Sequence, residues 1–395
     1  MRSIELFAGA GGLALGTHLA GFSTEVAVEW NSWCCSTLRA NRAADYPLVR
    51  GMEIHETDIR DVDWGPLEGR IDLLSGGPPC QPFSAGGLGL AEGDPRNMFP
   101  ATADVIKQVK PRAFLIENVR GLTRPKFADY FQYIQLQLSM PEIRPQEGET
   151  WRAHLARLLK ERTSSAPGSL RYRITSKVVN AADFGVPQNR WRVFLVGFRD
   201  DCAVPWRFPD ATHSQQALEA SRDDGRYWGR HAIAPRDMPS VTLRRGNEGA
   251  LSLRPWRTVR DALAGLPEPN LLGSSEHLNH FYQGGARSYP GHTGSDLDSP
   301  AKALKAGVHG VPGGENMIRF PDGALRYFST REAARLQTFP DRFALHGPWT
   351  EAMRQLGNAV PVRLAELVAL SVREHLDLTA LQPIAQATRA LQLAA

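Results

Sequence analysis

The segment SIELFAGAGGLALGTHLAGFSTEVAVEW, residues 3–30, decides the predicted fold. It starts with a short apolar strand, SIELF, turns through glycines into a helix, and returns in a second strand that ends at Glu29. A strand, a glycine turn, a helix and a further strand in this order are typical of a parallel βαβ unit. We therefore predict that the chain opens with the first unit of a parallel α/β sheet.

The same alternation continues along the chain. Further strands are predicted at IHETDI (54–59), RIDLLSGG (70–77) and AFLIE (113–117), with helical segments between them. Two more strands, RITSKVVNAADFG (173–185) and RWRVFLVGF (190–198), are joined by a turn that carries VPQNR. Strands and helices at this spacing predict an α/β fold with a doubly wound, mostly parallel sheet.

Several chemically active side chains follow these strands directly. In doubly wound sheets, functional groups gather at the carboxyl ends of the strands. Five candidates lie at or just beyond a predicted strand end: Phe7, Glu29, Asp58, Cys80 and Glu117. This shared position predicts one site at one edge of the sheet.

The pattern changes after residue 199. Residues 200–325 lose clear periodicity and are rich in Gly, Pro, His, Trp and Arg, which predicts a second, smaller, loop-rich domain. The α/β domain would then comprise residues 1–199 and a return segment, 326–395. In that segment Ser329 and Glu332 fit a helix capping box, and QLGNAVP is predicted to be a glycine turn before a final amphipathic helix.

Composition excludes some classes of protein but does not identify the class of this one. The 395 residues have a formal net charge of only +4, so the total charge does not predict a polyanionic partner. The four cysteines form no CxxC pair and no zinc-like spacing, so we expect neither a disulfide framework nor a metal. No apolar run has the length of a membrane span and no signal segment precedes the first strand, so we expect a soluble, intracellular protein.

The glycine turn after the first strand has two readings. Gly9, Gly11 and Ala14 fit the G-x-G-x-x-G/A dinucleotide pattern, with Glu29 at a suitable distance for a ribose hydroxyl, so a nicotinamide-dependent dehydrogenase is one of them. Asp58 at a neighbouring strand end suits an adenine amino group, as in S-adenosylmethionine. Both remain open on these residues alone.

The segment SGGPPCQPFSAGGLG, residues 75–89, favours the second reading. It places Cys80 among Pro78, Pro79 and Pro82 and continues into a glycine-rich run. Proline restricts the backbone and glycine frees it, so the pattern predicts a rigid platform that leads into a mobile loop. A lone cysteine is more often a buried structural residue, but this setting is that of a nucleophile, for which a dehydrogenase has no use.

Six segments in order resemble the C5-cytosine DNA methyltransferases. They are LFAGAGG (6–12), PPCQPFS (78–84), ENV (117–119), QNRWR (188–192), REAARLQTFPD (331–341) and GNAVP (357–361). The resemblance spans nearly the whole chain, and it implies a Rossmann-like, S-adenosylmethionine-dependent fold whose second domain recognises the DNA target. It also implies a flipped cytosine as substrate.

The resemblance assigns roles to individual residues. Cys80 would add to C6 of cytosine, Glu117 would contact N3 and the exocyclic amine, and Arg190 and Arg192 would bind O2 and a neighbouring phosphate. The implied cofactor-binding residues are Phe7, Gly9, Ala10, Gly11, Gly12, Glu29, Trp30, Asp58, Ile59, Asn358 and Val360. The expected DNA-binding residues are Gln81, Ser84, Arg96, Gln188, Arg254 and Arg257.

The expected partner is double-stranded DNA, with S-adenosylhomocysteine as product and no metal. With no regulatory domain before the first motif, we expect a monomeric, cytoplasmic bacterial modification enzyme that associates with the nucleoid by binding DNA. Whether a separate restriction endonuclease accompanies it is left open. A tRNA methyltransferase is a rival, but no cysteine here is followed by the Phe-Thr pair of that branch. A non-catalytic DNA-binding relative is disfavoured by the presence of Cys80, Glu117 and both arginines, Arg190 and Arg192.

Overall fold

A computed structural model of the chain describes residues 1–79, 97–162, 169–202, 205–234, 252–273, 276–290, 292–306 and 316–394, with side chains of the last helix as far as residue 379. The central sheet is formed by β1 (Arg2–Leu6), β2 (Ser23–Glu29), β3 (Glu53–Glu56), β4 (Leu73–Gly76), β5 (Ala113–Val119), β6 (Tyr172–Asn180) and, after the two-residue β7 (Gln188–Asn189), β8 (Trp191–Arg199). Shorter strands follow: β9 (His213–Ser214), β10 (Arg254–Pro255), β11 (Ser295–Asp296), β12 (Ala301–Lys302), β13 (Met317–Arg319) and β14 (Leu325–Tyr327).

The described helices alternate with the strands in the first half of the chain and cluster at its end. They are α1 (Gly12–Leu19), α2 (Ser32–Ala43), α3 (Phe99–Val109), α4 (Ala128–Ser139), α5 (Trp151–Glu161), α6 (Gln215–Asp223), α7 (Arg226–Arg230), α8 (Val259–Leu263), α9 (Thr330–Leu336), α10 (Trp349–Asn358) and α11 (Val362–Ala394). Among these helices, none combines the length and apolarity that crossing a bilayer requires.

The order of strands across the sheet is β3-β2-β1-β4-β5-β8-β6. The five strands from β3 to β5 are parallel, whereas β8 runs antiparallel to both β5 and β6. The strand order reverses between β1 and β4, and open α/β sheets bind their ligands at such a switch point. The predicted α/β class with a mostly parallel sheet is confirmed.

Helices cover both faces of the sheet, which explains why its strands are apolar on both sides. On one face, Phe114 and Ile116 of β5 pack in a core with residues of α3, α4 and α5. On the other face, Leu115 of the same strand packs with residues of α1 and α11. Because successive side chains of a strand point to opposite faces, one strand supplies both cores.

Two local predictions need correction. The strand predicted at 54–59 ends at Glu56, and Asp58 caps a short 3-10 turn that follows it. The strand predicted at 190–198 begins at Trp191, and Gln188 of the predicted turn belongs to β7, which pairs with β12 outside the central sheet. Arg190 lies between β7 and β8, so the strand alternation does not apply to it.

The return segment shows one success and one error. The capping box of α9 is present as predicted, because the hydroxyl of Ser329 accepts from Glu332 N and the Glu332 carboxylate accepts from Ser329 N. The predicted glycine turn at residue 357 is wrong, since Gly357 lies inside α10. An added Cβ at Gly357 would come within 2.5 Å of Ala306 N, so glycine is needed there for close packing.

Segments on either side of the predicted domain boundary share a core. Val259, Leu304 and Ile318 pack in one cluster with Leu336 and Leu356 of α9 and α10. The division of the chain at residues 200 and 325 stays a prediction.

Candidate active site

The proline segment before Cys80 is held from two sides. The carbonyl of Pro78 accepts a 2.9 Å hydrogen bond from Asn118 Nδ2, at the end of β5. The carbonyl of Pro79 lies 3.5 Å from Met98 N, immediately before α3. Sequence reasoning gave Asn118 no role of its own, although it forms part of the ENV motif. Cys80, Gln81, Ser84 and Arg96 themselves lie outside the described residues.

Glu117 and Arg192 form a buried ion pair beside this segment. Arg192 Nε lies 2.5 Å from Glu117 Oε1, and the two side chains are only 14% and 8% exposed. The antiparallel register of β5 and β8 explains the contact, because Arg192 pairs with Val119, two residues beyond Glu117 on the same face. An added Cβ at Gly77 would lie 3.3 Å from Glu117 Oε2, so the carboxylate borders the chain that leads to Cys80.

The surroundings of Glu117 shift the pKa of its carboxyl. Burial raises the pKa of this carboxyl above its ordinary value, and the nearby charges of Arg192 and Arg190 only partly oppose the effect. A carboxyl with a raised pKa retains a proton closer to neutral pH and can deliver it to a base. The pair therefore suits proton transfer as well as orientation.

Arg190 and Gln188 are placed differently from what was expected. The Arg190 guanidinium is buried and donates to the carbonyls of Gly357, at 2.6 Å, and Leu304, at 3.2 Å. The Gln188 amide is also buried and bonds the backbone of Leu304 and Leu336. In this conformation neither side chain reaches the surface, so a contact with base or DNA would require these bonds to be exchanged.

The glycine turn after β1 is tied to the end of β2 by Glu29. One carboxylate oxygen accepts a 2.8 Å bond from Gly9 N, and the other accepts from Trp30 N and Asn31 N. Phe7, the first residue after β1, has a φ of +55°, in the left-handed region that non-glycine residues rarely adopt. The backbone of this turn is thus fixed before any ligand arrives.

The closing GNAVP segment packs directly on this turn. An added Cβ at Gly12 would come within 2.3 Å of the Val360 carbonyl, so only glycine permits the approach. The Gln337 amide donates to the carbonyls of Leu356 and, at 3.3 Å, Ala359, which holds the break between α10 and α11 in place. Ala10 is buried in the turn, whereas Asn358 is exposed at the end of α10. Gln337 is a contributor that sequence reasoning missed, because its partners lie far along the chain.

The ends of β2 and β3 offer groups that fit an adenosine. The Trp30 ring is 69% exposed, and Asp58 carries a carboxylate whose pKa is lowered by hydrogen bonds from Arg60. Ile59 is buried and lines a cavity of about 300 Å³ together with Met98 and Pro100. An aromatic ring, a carboxylate and open space after these strands are the kinds of group that suit an adenine ring, and Glu29 Oε2 has a lone pair free for a ribose hydroxyl. The residues present therefore fit S-adenosylmethionine.

The described cysteines are poor nucleophiles. Cys34, Cys35 and Cys202 are all buried, and burial raises the pKa of each thiol, for Cys35 to about 12. A thiol must ionise to attack carbon, so these three are unsuited to the role predicted for Cys80. Within the described ranges, no group of three His, Cys, Asp or Glu side chains is placed to bind a metal.

The chain matches known proteins over most of its length. The model of the C-5 cytosine-specific DNA methylase family matches residues 1–140, 160–249 and 267–374. The chain belongs to this family. Its members use S-adenosylmethionine as methyl donor, in agreement with the groups found at the ends of β1, β2 and β3.

Curated relatives are named as methyltransferases of one type. The type II methyltransferase M.PspPI of a Psychrobacter species is 30% identical over 383 residues, which cover 95% of this chain and 79% of the relative. M.AquIA of a Picosynechococcus species is 34% identical over 270 residues, 67% of this chain and 89% of the relative.

Two crystal structures show the same fold. One, described as a prophage-encoded DNA modification methyltransferase of Escherichia coli, has a TM-score of 0.58 at 22% identity and covers 95% of this chain and 99% of that chain. The other, the Dnmt2 methyltransferase of S. pombe, has a TM-score of 0.53 at 17% identity and covers 97% and 99%.

Proposed function

We propose that this chain methylates C5 of a flipped cytosine within a specific sequence of duplex DNA, through a covalent bond between Cys80 and C6, and that it is the modification enzyme of a type II restriction-modification system. The observation that carries the proposal is the buried Glu117–Arg192 pair, which borders the proline segment leading to Cys80. The names of the relatives support the DNA substrate and the biological setting.

Cys80 begins the reaction. Its thiolate forms a bond to C6, and the electrons of the C5–C6 double bond move toward C4 and N3. A proton from Glu117 to N3 neutralises the charge that would otherwise build up there, and C5 becomes enamine-like. S-adenosylmethionine, when bound, supplies an electrophilic methyl group for C5 and is released as S-adenosylhomocysteine. Loss of the C5 proton to a base, expulsion of the thiolate and return of the N3 proton to Glu117 then restore the aromatic ring and the starting state of both side chains.

The neighbours of Glu117 position the base. Arg192 neutralises the carboxylate after it has given up its proton, and its remaining guanidinium N–H groups can donate to O2 of the cytosine. Asn118 fixes Pro78, and hence the start of the segment that carries Cys80. The base has to leave the duplex to reach this edge of the sheet.

The ends of β1, β2 and β3 would hold the cofactor. Trp30 would stack on the adenine, Asp58 would accept from its amino group, and Glu29 would accept from the ribose. The methionine end would lie near Gly12 and Val360, whose backbones are in contact. This arrangement puts the methyl donor at the switch point, between β1 and β4, next to the chain that leads to Cys80.

The experiment is methylation mapping with a matched cysteine pair. Plasmid from cells that express the wild-type chain, Cys80→Ser or Cys34→Ser is sequenced after bisulfite treatment. We expect protection at one recurring sequence for the wild type and Cys34→Ser, and none for Cys80→Ser, which should still bind S-adenosylmethionine. Methylation by Cys80→Ser, or no methylated sequence with the wild type, would contradict the proposal.

A trapped adduct tests the covalent step separately. Duplex DNA with 5-fluorocytosine at the mapped position should remain attached to the chain after denaturation, because fluorine cannot leave as a proton does. The adduct should map to Cys80 by peptide mass spectrometry. An adduct at Cys34, Cys35 or Cys202 would show that Cys80 is not the nucleophile.

A further inference from the structure

Three cationic side chains follow the Glu117 strand on the surface of two short 3-10 turns. The turns are Arg120–Thr123 and Pro125–Phe127, and they carry the exposed residues Arg120, Arg124 and Lys126, named here the cationic strip. The buried side chains of Leu122 and Phe127 anchor the two turns to the core under α3 and α4. The strip is therefore held on a fixed base.

The cations of the strip have no acidic partner among the described residues. The adjacent carboxylate, Glu117, is already paired with Arg192. By contrast, Arg173 in β6 pairs with Asp200, and Lys110 before β5 pairs with Glu68. Three uncompensated positive charges within seven residues form a local site for an anion.

Trp191 holds one of these cations in place. The Arg120 guanidinium lies 5.0 Å from the centre of the Trp191 ring, at a cation–π distance, and the ring is 44% exposed. The register explains the contact, because Val119 pairs with Arg192, so the preceding Trp191 and the following Arg120 meet just beyond this pair. A planar guanidinium held on an aromatic face is oriented for bidentate contact with a phosphate.

The strip lies where the DNA backbone has to pass. Arg120 is three residues beyond Glu117, at most about 11 Å along an extended chain. A cytosine bound at Glu117 stays connected to its own sugar and flanking phosphates, so these phosphates lie at the rim of the pocket. Arg120 lies within reach of that rim on the side of β5 and β8, and Arg124 and Lys126 continue from it along the two turns.

We propose that Arg120, Arg124 and Lys126 bind the backbone phosphates of the duplex DNA strand that carries the target cytosine, with Trp191 as a positioning residue for Arg120. The inference rests on the proposed function and adds a binding site to it. The strip reads no base, so it supplies affinity and register to any target sequence.

The test is the salt dependence of DNA binding. Each phosphate that a cation neutralises contributes about 0.9 to the slope of log affinity against log salt concentration. Arg120→Ala, Arg124→Ala and Lys126→Ala should each flatten the slope by about one unit, and the triple variant by about two to three units. The KM for DNA should rise, while kcat at saturating DNA, affinity for S-adenosylmethionine and the methylated sequence stay unchanged.

A matched control removes the same charges elsewhere. Arg50, Lys110 and Arg173 are exposed, paired with acids, and lie near the amino ends of β3, β5 and β6, at the opposite edge of the sheet. The triple variant Arg50→Ala, Lys110→Ala, Arg173→Ala loses two arginines and one lysine, as the strip variant does, and should keep the wild-type slope. Equal slopes for the two triple variants would overturn the proposal that the strip binds backbone phosphates.

Three further outcomes separate the components of the proposal. Trp191→Ala should raise the KM for DNA several-fold and Trp191→Phe should restore it; a wild-type KM in Trp191→Ala would overturn the positioning role. If the triple strip variant lost binding to an RNA hairpin while its binding to duplex DNA stayed unchanged, DNA would not be the partner of the strip. A wild-type chain that binds DNA with a strip-dependent slope but methylates no cytosine would contradict the proposed function and leave the strip standing.

Discussion

The ion pair of Glu117 with Arg192 at the carboxyl edge of the sheet and two ion pairs of the 200–325 region lie in opposite surroundings. At the edge, the Glu117 and Arg192 side chains are 8% and 14% exposed. In the 200–325 region, the pair of Arg226 with Asp224 has side chains 74% and 43% exposed, and the pair of Arg319 with Asp296 has 48% and 53%. The same type of ion pair is therefore buried at Glu117 and solvated at these two sites.

The difference separates chemistry from recognition. A buried pair is hard to disturb, because removing one partner leaves an uncompensated charge at a cost of about 3–5 kcal/mol. An exposed pair contributes little, since water and salt screen it. The Glu117 pair therefore has a geometry that is set before DNA arrives, whereas an exposed pair such as that of Arg226 with Asp224 holds its side chains only weakly.

The largest effect should come from Glu117→Gln. The amide keeps the shape but cannot transfer its proton in the same way, and proton transfer by a positioned group typically contributes about 10²–10⁴-fold. We expect kcat to fall by at least about 100-fold, with DNA affinity nearly unchanged, in single-turnover methylation and equilibrium binding. Glu56→Gln, a change at an exposed glutamate, is the control and should keep wild-type turnover. A change in the KM for DNA alone would make Glu117 a binding residue.

Glu5 is a buried carboxyl that is hydrogen-bonded to a serine rather than paired with an arginine. We therefore expect the stability of the fold to depend on pH. It lies on β1 opposite Ser75 of β4, whose hydroxyl donates to it, and burial raises its pKa to about 8. Between about pH 4.5 and pH 8 the unfolded chain has released this proton and the folded chain retains it, so stability falls as pH rises. Above pH 8 both states are ionised and the trend ends.

Glu5→Gln should remove this trend. The free energy of unfolding of the wild type, minus that of the variant, should fall by on the order of 3 kcal/mol between pH 5 and pH 8, at about 1.4 kcal/mol per pKa unit. Denaturant titrations at several pH values measure this difference in the free energy of unfolding. The control is Glu374→Gln, a change at an exposed glutamate of α11. A constant difference across this range would mean that Glu5 is ionised in the folded chain.

How much the sequence predicts depends on how far apart the partners lie. The strands, the order of the motifs and the capping box of Ser329 and Glu332 follow from neighbouring residues, and the structure has them. The bonds of Arg190 to Leu304 and Gly357 join residues 114 and 167 positions apart, and no local pattern encodes them. The pairing of Glu117 with Arg192 is intermediate, because both lie in recognised motifs but only the register of β5 and β8 joins them.

A smaller effect is expected from Asn118→Ala. This change removes the 2.9 Å hydrogen bond that holds the Pro78 carbonyl, and a displacement of about 1 Å at a reacting group can lower a rate about 100-fold. We expect kcat to fall about 10- to 100-fold while affinities for DNA and S-adenosylmethionine hold. Asn118→Asp loses the donor but retains the shape and should behave like the alanine variant. Wild-type turnover in both would show that the bond does not position the segment of Cys80.

The smallest effects, and the most direct test of the comparison, concern single arginines of the 200–325 region. Arg254 and Arg257 are exposed and have no acidic partner among the described residues, and their charges help burial to lower the pKa of His213 to about 4. Arg230 and Arg260 instead bind Asp261 and Asp298. Three further arginines of this region, Arg236, Arg244 and Arg245, lie outside the described residues.

The free arginines should therefore matter more to DNA than the paired ones. Arg254→Ala and Arg257→Ala should each either flatten the salt dependence by about one unit, as phosphate contacts, or relax the preference at one base pair of a randomised site library, as base contacts. Arg226→Ala, at an exposed pair, should do neither, because its charge is already offset by Asp224 in the free chain. Equal effects of Arg226→Ala and Arg254→Ala would mean that the exposed pairs open on DNA. If no substitution in the 200–325 region changed the methylated sequence, and substitutions at 84–99 did, the choice of target would be assigned to the segment that follows Cys80.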